Sequence, residues 1–85
     1  MKKISIIGMG YVGLPLAKAL QKYFLVTGYD NSLTRINELN KAYDRNNNFT
    51  KKQLLSSKNL FFSNKQDALN NTDILKKRLE RLGNR

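Results

Sequence analysis

The chain alternates short continuous apolar runs with stretches in which apolar residues recur every three or four positions. KISIIG, Lys3–Gly8, is a β-branched run that stops at glycine, the pattern of a buried strand. From Tyr11 to Phe24 the period lengthens. Val12, Leu16, Leu20 and Tyr23 fall at helical spacing, with Ala17, Ala19 and Phe24 beside them. Pro15 fits this helix only in its first turn, where its missing N–H has no partner to lose. FLVTGYD, Phe24–Asp30, predicts a second strand that ends in a polar residue. NSLTRINELNKA, Asn31–Ala42, predicts a second helix, with Asn31 or Ser32 as its cap and Leu33, Ile36 and Leu39 on one stripe. A polar loop, Tyr43–Asn48, follows. Thr50 and Gln53 then form a capping-box pair that opens a short helix through Leu54 and Leu55. NLFFS, Asn59–Ser63, predicts a third strand. Ser63–Asn71 predicts a short helix with a capping pair at Ser63 and Gln66. Leu75, Leu79 and Leu82 mark a basic amphipathic helix stopped by Gly83.

Strands alternating with helices imply right-handed crossovers and a parallel sheet. The chain is therefore expected to be an α/β protein with helices on both faces of its sheet. Two segments are expected, an α/β unit over 1–74 and a divergent basic helical tail over 75–85.

Length and composition narrow the chemistry. Eighty-five residues allow one domain, and a chain this short buries only ~60–65% of the surface exposed when unfolded. There is no cysteine and no histidine. Disulfides, thiolate or imidazole metal sites, cysteine nucleophiles and Ser-His-Asp triads are all excluded within this chain, and no metal is expected. The formal net charge is +10, which raises the question of polyanion binding. Lys51, Lys52, Lys58 and Lys65 are spread along loops and helix faces, and only KKRLERLGNR at 76–85 is dense. A solvated basic surface explains that spread, and nucleic acid is not expected as a partner. No apolar run reaches the ~18–20 residues needed to cross a bilayer, so no membrane partner is expected.

IIGMGYVGLPLA, Ile6–Ala17, fits two descriptions. One is the apolar part of a secretory signal peptide, with Lys2 and Lys3 before it and Ala17-Lys18-Ala19 after it. The other is a strand entering a glycine-rich turn and then a helix. Gly8, Gly10 and Gly13 stand in G-x-G-x-x-G spacing. In that motif the first glycine makes the tight turn, the second admits a pyrophosphate against the backbone, and the third lets helix and strand pack closely. The helix N-terminus then presents free N–H groups and the positive end of its dipole. The motif also asks for an acidic residue about 20 positions on, at the end of the next strand. Asp30 lies 22 positions after Gly8 and closes VTGYD. A carboxylate there accepts from ribose hydroxyls and repels a 2′-phosphate, which favours NAD over NADP. Asp30 also suits a plain helix cap. The signal-peptide description accounts for the lysines but not for three glycines in register, the second strand or Asp30. The compartment expected is the cytoplasm. The fold expected is a partial Rossmann-like parallel sheet, three strands in order 3-2-1.

KISIIGMGYVGLPLA, GYD, RINELNKAYDR, LFFS and ALNNTDI together resemble the N-terminal region of the nucleotide-sugar 6-dehydrogenases, the UDP-glucose and UDP-N-acetylhexosamine dehydrogenase family. The resemblance runs from about Lys3 to Ile74, and G-Y-V-G-L-P is far more specific than the bare glycine spacing. It implies an NAD-binding portion of an oxidoreductase that converts the C6 alcohol of a UDP-sugar to a carboxylate for polysaccharide biosynthesis. It implies backbone contacts from Tyr11 and Val12 to the pyrophosphate, Asp30 at the adenosine ribose, and Arg35 near the same end. Arg35 on a solvated helix face is the plainer alternative.

Departures from the family bound these implications. The family continues past Ile74 into an apolar fourth strand and a V-P-T-P-like loop, whereas this chain has LKKRLERLGNR. Lys76, Lys77 and Arg78 cannot line a doubly covered strand without a large desolvation cost. The first strand is therefore expected to be an edge, covered by the tail or open to self-association. The family's cysteine nucleophile, its central lysine and asparagine and its UDP-binding domain have no counterpart here. No catalytic residue is assigned, the chain reads as a truncated form, and it is not expected to oxidise a sugar alone. A UDP-sugar is a partner only of the full-length family enzyme. The alternative from another class is a non-enzymatic basic module or remnant whose tail binds polyanions.

Overall fold

A computed structural model describes residues 1–75 of the chain. Its elements are β1 (Lys3–Ile7), α1 (Gly13–Leu20), β2 (Leu25–Tyr29), α2 (Leu33–Asn40), α3 (Lys51–Leu55), β3 (Leu60–Ser63), a 3-10 helix (Gln66–Leu69) and β4 (Asp73–Ile74). The strands form one sheet in the order β3-β2-β1-β4, every pair parallel.

Register sorts the residues by face. Ile4 lies beside Val26 and Leu60, and Ile6 beside Gly28 and Phe62. These residues pack with Leu14 and Ala17 of α1, Leu39 of α2 and Leu54 of α3 to form the core. The opposite face carries Ser5, Thr27 and Phe61, then Ile7, Tyr29 and Ser63. There the 3-10 helix lies over β2. Phe61 remains 56% exposed on that face.

The helices begin where their caps dictate. Ser32 caps α2 by accepting the Arg35 N–H, and Thr50 and Gln53 close a full capping box on α3. The stripe on α2 is only partly buried: Ile36 and Leu39 enter the core while Leu33 stays exposed. The chain leaves α2 through Ala42 in the left-handed region at φ 59°. Ala42 N–H donates to Leu39 O and Tyr43 N–H to Glu38 O, which turns the chain into the 44–49 loop.

Three expectations are corrected. The first is the strand count: the sheet has four strands, and β4 covers part of the β1 edge. The Lys/Arg run at 76–78 did not forbid this, because pairing uses the residues before it. Asp73 and Ile74 have their side chains exposed, so the pairing needs no desolvated charge. The pairing is anchored by Leu75 N–H to Ser5 O at 3.0 Å, by a hydroxyl contact between buried Ser5 and Thr72, and by Thr72 Oγ1 donating to Leu69 O. The second is the helix expected over Ser63–Asn71, which is only a 3-10 turn. Ser63 Oγ accepts from Lys65 N rather than from Gln66, so no capping box forms to start an α-helix. The third is α1, which ends at Leu20 rather than Phe24. The basic helix expected over 75–85 lies outside the described residues apart from Leu75.

The 44–49 loop is organised by Asp44, only 3% exposed. Its carboxylate accepts from the amides of Asn46, Asn48 and Phe49 and from Arg35 Nη1. Burial pushes the Asp44 carboxyl up, but the Arg35 hydrogen bond and the loop amides outweigh it, and its pKa lies below the ordinary value. A carboxyl depressed by folding contributes stability above its unfolded pKa and loses it as pH falls through the folded one. Unfolding free energy from urea titrations should therefore hold between about pH 7 and 5 and fall below about pH 4. Asp44→Asn should remove part of that acid slope and lower stability at pH 7 by about 1–3 kcal/mol.

Candidate functional site

The glycine loop joins β1 to α1, and its glycines answer to different constraints. Gly8 stands at φ +96°, a conformation that side chains rarely adopt, and its N–H donates to Tyr29 O at 2.7 Å. A Cβ on Gly13 would lie 1.7 Å from Gly8 O, so the start of α1 touches the loop backbone. Gly10 is different: a Cβ there would meet nothing within 4 Å. Packing among the described residues does not require glycine at 10, and the space in front of it is open.

That space lies at the head of α1. Val12 caps the helix with no side-chain hydrogen bond. Leu14 N–H donates to Gly10 O and Leu16 N–H to Val12 O, both at 3.2 Å. The amides of Gly10, Tyr11, Val12 and Gly13 donate to no acceptor among the described residues. Four consecutive free donors at the positive end of a helix are the kind of feature that favours an anion. The Tyr11 and Val12 side chains flank it, each more than two-thirds exposed.

Asp30 follows β2 directly. Its Oδ2 accepts from Met9 N and its Oδ1 from Ser32 N, both at 2.9 Å. It thus ties the glycine loop to the entry of α2. Each carboxylate oxygen retains a lone pair for a further donor. Arg35 does not sit on a solvated helix face. Its side chain is 9% exposed, its Nε donates to Met9 O at 2.7 Å, and its Nη1 pairs with Asp44 Oδ1 at 3.0 Å. Its Nη2 is buried without a hydrogen-bond partner.

Four contributors escaped sequence reasoning. Met9, wholly buried, fills the gap left by Gly28, whose added Cβ would stand 2.5 Å from Met9 Sδ. Gly28 sits within β2, and its absent side chain was the available signal. Asp44 lay in a stretch that reads as polar loop. The fourth is an open depression of about 640 Å³ between Ile7, Tyr29, Ile74, the 3-10 helix residues Gln66, Asp67 and Leu69, and Asn70 after them. It opens near the C-terminal ends of β1 and β2, where the sheet order reverses between β1 and β4. In open α/β sheets that switch point is where ligands bind.

Alanine at the two loop glycines should separate fold from site. Gly13→Ala drives a methyl into the Gly8 carbonyl and should cost about 3 kcal/mol or more in urea denaturation. Gly10→Ala should stay within about 0.5 kcal/mol of the parent.

Comparison with known proteins agrees with this geometry. The model of the UDP-glucose/GDP-mannose dehydrogenase family, NAD binding domain, matches residues 2–76. Protein CapL of Staphylococcus aureus is 38% identical over 66 residues, which cover 78% of this chain and 16% of that protein. A UDP-N-acetyl-D-glucosamine 6-dehydrogenase of Salmonella typhi is 43% identical over 67 residues, covering 79% of this chain and 16% of the enzyme. One of the same name from Pseudomonas aeruginosa is 45% identical over 42 residues, 49% of this chain and 10% of that protein. The chain thus spans about a sixth of the length of the first two relatives. Its four-stranded parallel sheet, its glycine loop and the match over residues 2–76 place this chain in the UDP-glucose/GDP-mannose dehydrogenase family, as its NAD-binding domain.

Proposed function

We propose that this chain forms the adenosine- and pyrophosphate-binding side of the NAD site in a cytoplasmic nucleotide-sugar 6-dehydrogenase. The enzyme's substrate would be a UDP-sugar oxidised at C6 for polysaccharide synthesis. The observation that carries this reading is the row of free amides from Gly10 to Gly13 at the head of α1, with open space in front of Gly10.

The residues fit the cofactor. The pyrophosphate would lie against the Gly10, Tyr11, Val12 and Gly13 amides, where helix polarity and donors favour its charge. Gly8 supplies the turn and Gly13 the close helix contact that aim those amides. Asp30 would accept from the adenosine ribose hydroxyls with its remaining lone pairs. Arg35 would lie near the same end, holding the loop through Met9 O rather than reaching the cofactor with its buried Nη2. Bound NAD supplies the hydride acceptor for oxidation of an alcohol. No side chain described here is assigned to the chemistry of the sugar. The relatives named as UDP-N-acetyl-D-glucosamine 6-dehydrogenases favour a UDP-N-acetylhexosamine as the substrate class.

A titration with NAD, followed by protein NMR at two salt concentrations, tests the reading. Shifts should cluster at Gly8–Gly13 and Asp30, change little with salt, and saturate only weakly because one side of the cofactor site is probed. Gly10→Val should abolish them while leaving the spectrum dispersed, since no described neighbour lies within 4 Å of the new Cβ. Shifts confined to the 76–85 tail, fading steeply with salt, would instead assign the binding to the basic charge of the chain.

A further inference from the structure

Asp44 and Arg35 form a buried ion pair that nothing in the anion site uses directly. Their side chains are 0% and 9% exposed. Such a pair is a poor way to gain stability, because desolvating both charges offsets most of their attraction. Its geometry suggests another task. Arg35 spends Nη1 on Asp44 and Nε on the carbonyl of Met9. Asp44 is itself held by three backbone amides, from Asn46, Asn48 and Phe49. The guanidinium is planar, so a carboxylate that fixes Nη1 also fixes the direction of Nε.

The consequence appears one bond further on. Every peptide described here is trans, so a carbonyl and the N–H of the same peptide point in opposite directions. With Met9 O drawn to the buried Arg35, the Gly10 N–H is turned away from it and meets no acceptor among the described residues. The preceding peptide is set in the same manner. Asp30 takes the Met9 N–H, which directs Gly8 O the other way, against Gly13. Two charged side chains of opposite sign thus grip the two polar groups of one residue, and the first phosphate-facing amide follows from that grip.

We propose that Asp44 is a positioning residue for the dinucleotide loop: by orienting Arg35 on the Met9 carbonyl, it holds the Met9–Gly10 peptide with its N–H facing the phosphate site. This rests on the NAD reading for its purpose, but the peptide orientation is measurable without any ligand. Asp44 lies 35 residues from Met9 in sequence, and its hydrogen bonds go to Arg35 and to the amides of its own loop.

The test compares the parent chain with Asp44→Asn, using residual dipolar couplings of the backbone amides and NAD titration on the same samples. The Gly10 N–H coupling should change in Asp44→Asn while the couplings of β1 and β2 hold, and NAD should bind about tenfold more weakly. An unchanged Gly10 coupling with NAD affinity within about twofold of the parent overturns the proposal. If Asp44→Asn does not fold, Arg35→Lys is read in its place. It keeps a cation beside Asp44 but lacks the rigid fork that fixes one nitrogen on Met9 O while another holds Asp44, and the same change at Gly10 is expected. Should both variants unfold, the pair is a stability element and the proposal falls. If the parent fails to bind NAD, the functional reading fails by itself, and the Gly10 coupling still decides the role of Asp44.

Discussion

The molecule depends on the burial of Met9. The chain leaves β1 at Ile7 and must cross the end of the sheet to start α1 at Gly13. Met9 makes that crossing an ordered path, because its side chain enters the core with no exposed surface. Room for it comes from Gly28 on the neighbouring strand. Its N–H is taken by Asp30 and its carbonyl by Arg35. A fully buried methionine contributes on the order of 2 kcal/mol, and its two charged hydrogen bonds give the path one geometry. The amides of Gly10 to Gly13 stay open beside a residue whose own N–H and carbonyl are both taken.

The same arrangement explains why Asp30 and Arg35 belong to the protein's interior as much as to a ligand site. An acidic residue after the second strand is usually read as a partner for ribose. Here it first anchors the loop and the entry of α2, and any ribose would bind to a carboxylate already held in place. Preorganisation of this kind limits what a ligand must order on binding. Arg35 joins the glycine loop to the 44–49 loop through Asp44, so α2 connects two otherwise separate surface segments. A domain this small leaves little margin for misplacing either charge.

The two faces of the sheet differ in completeness. One is closed by α1, α2 and α3 around Ile4, Ile6, Val26 and Leu60. The other carries a short 3-10 helix among the described residues, with Phe61 and Ile74 half exposed and an open depression at the switch point. The family match covers this unit alone, within relatives about six times as long. The glycine-loop corner is built from β1, α1 and β2, which pack against one another within the chain.

Local patterns carried much of this in the sequence. The β-branched run at Lys3–Ile7, the helical spacing after Gly13, the Thr50–Gln53 capping box and the glycine spacing each act within a few residues, so their physics is visible in one dimension. The alternation of strands and helices was enough for a parallel sheet, because crossover handedness is nearly invariant. What local pattern could not reveal was pairing across distance. Asp73 and Ile74 form a strand because β1 offers them backbone partners, although the charged run beside them argued for none. Gly28 is small because Met9, 19 residues earlier, needs its space. Arg35 is buried because Asp44 and the Met9 carbonyl satisfy it, on a helix whose pattern alone would leave it in water. The elements and the motif follow from short-range sterics and hydrogen bonding, which the sequence determined by itself. Which polar groups meet inside depends on how those elements pack, and only the tertiary structure decided that.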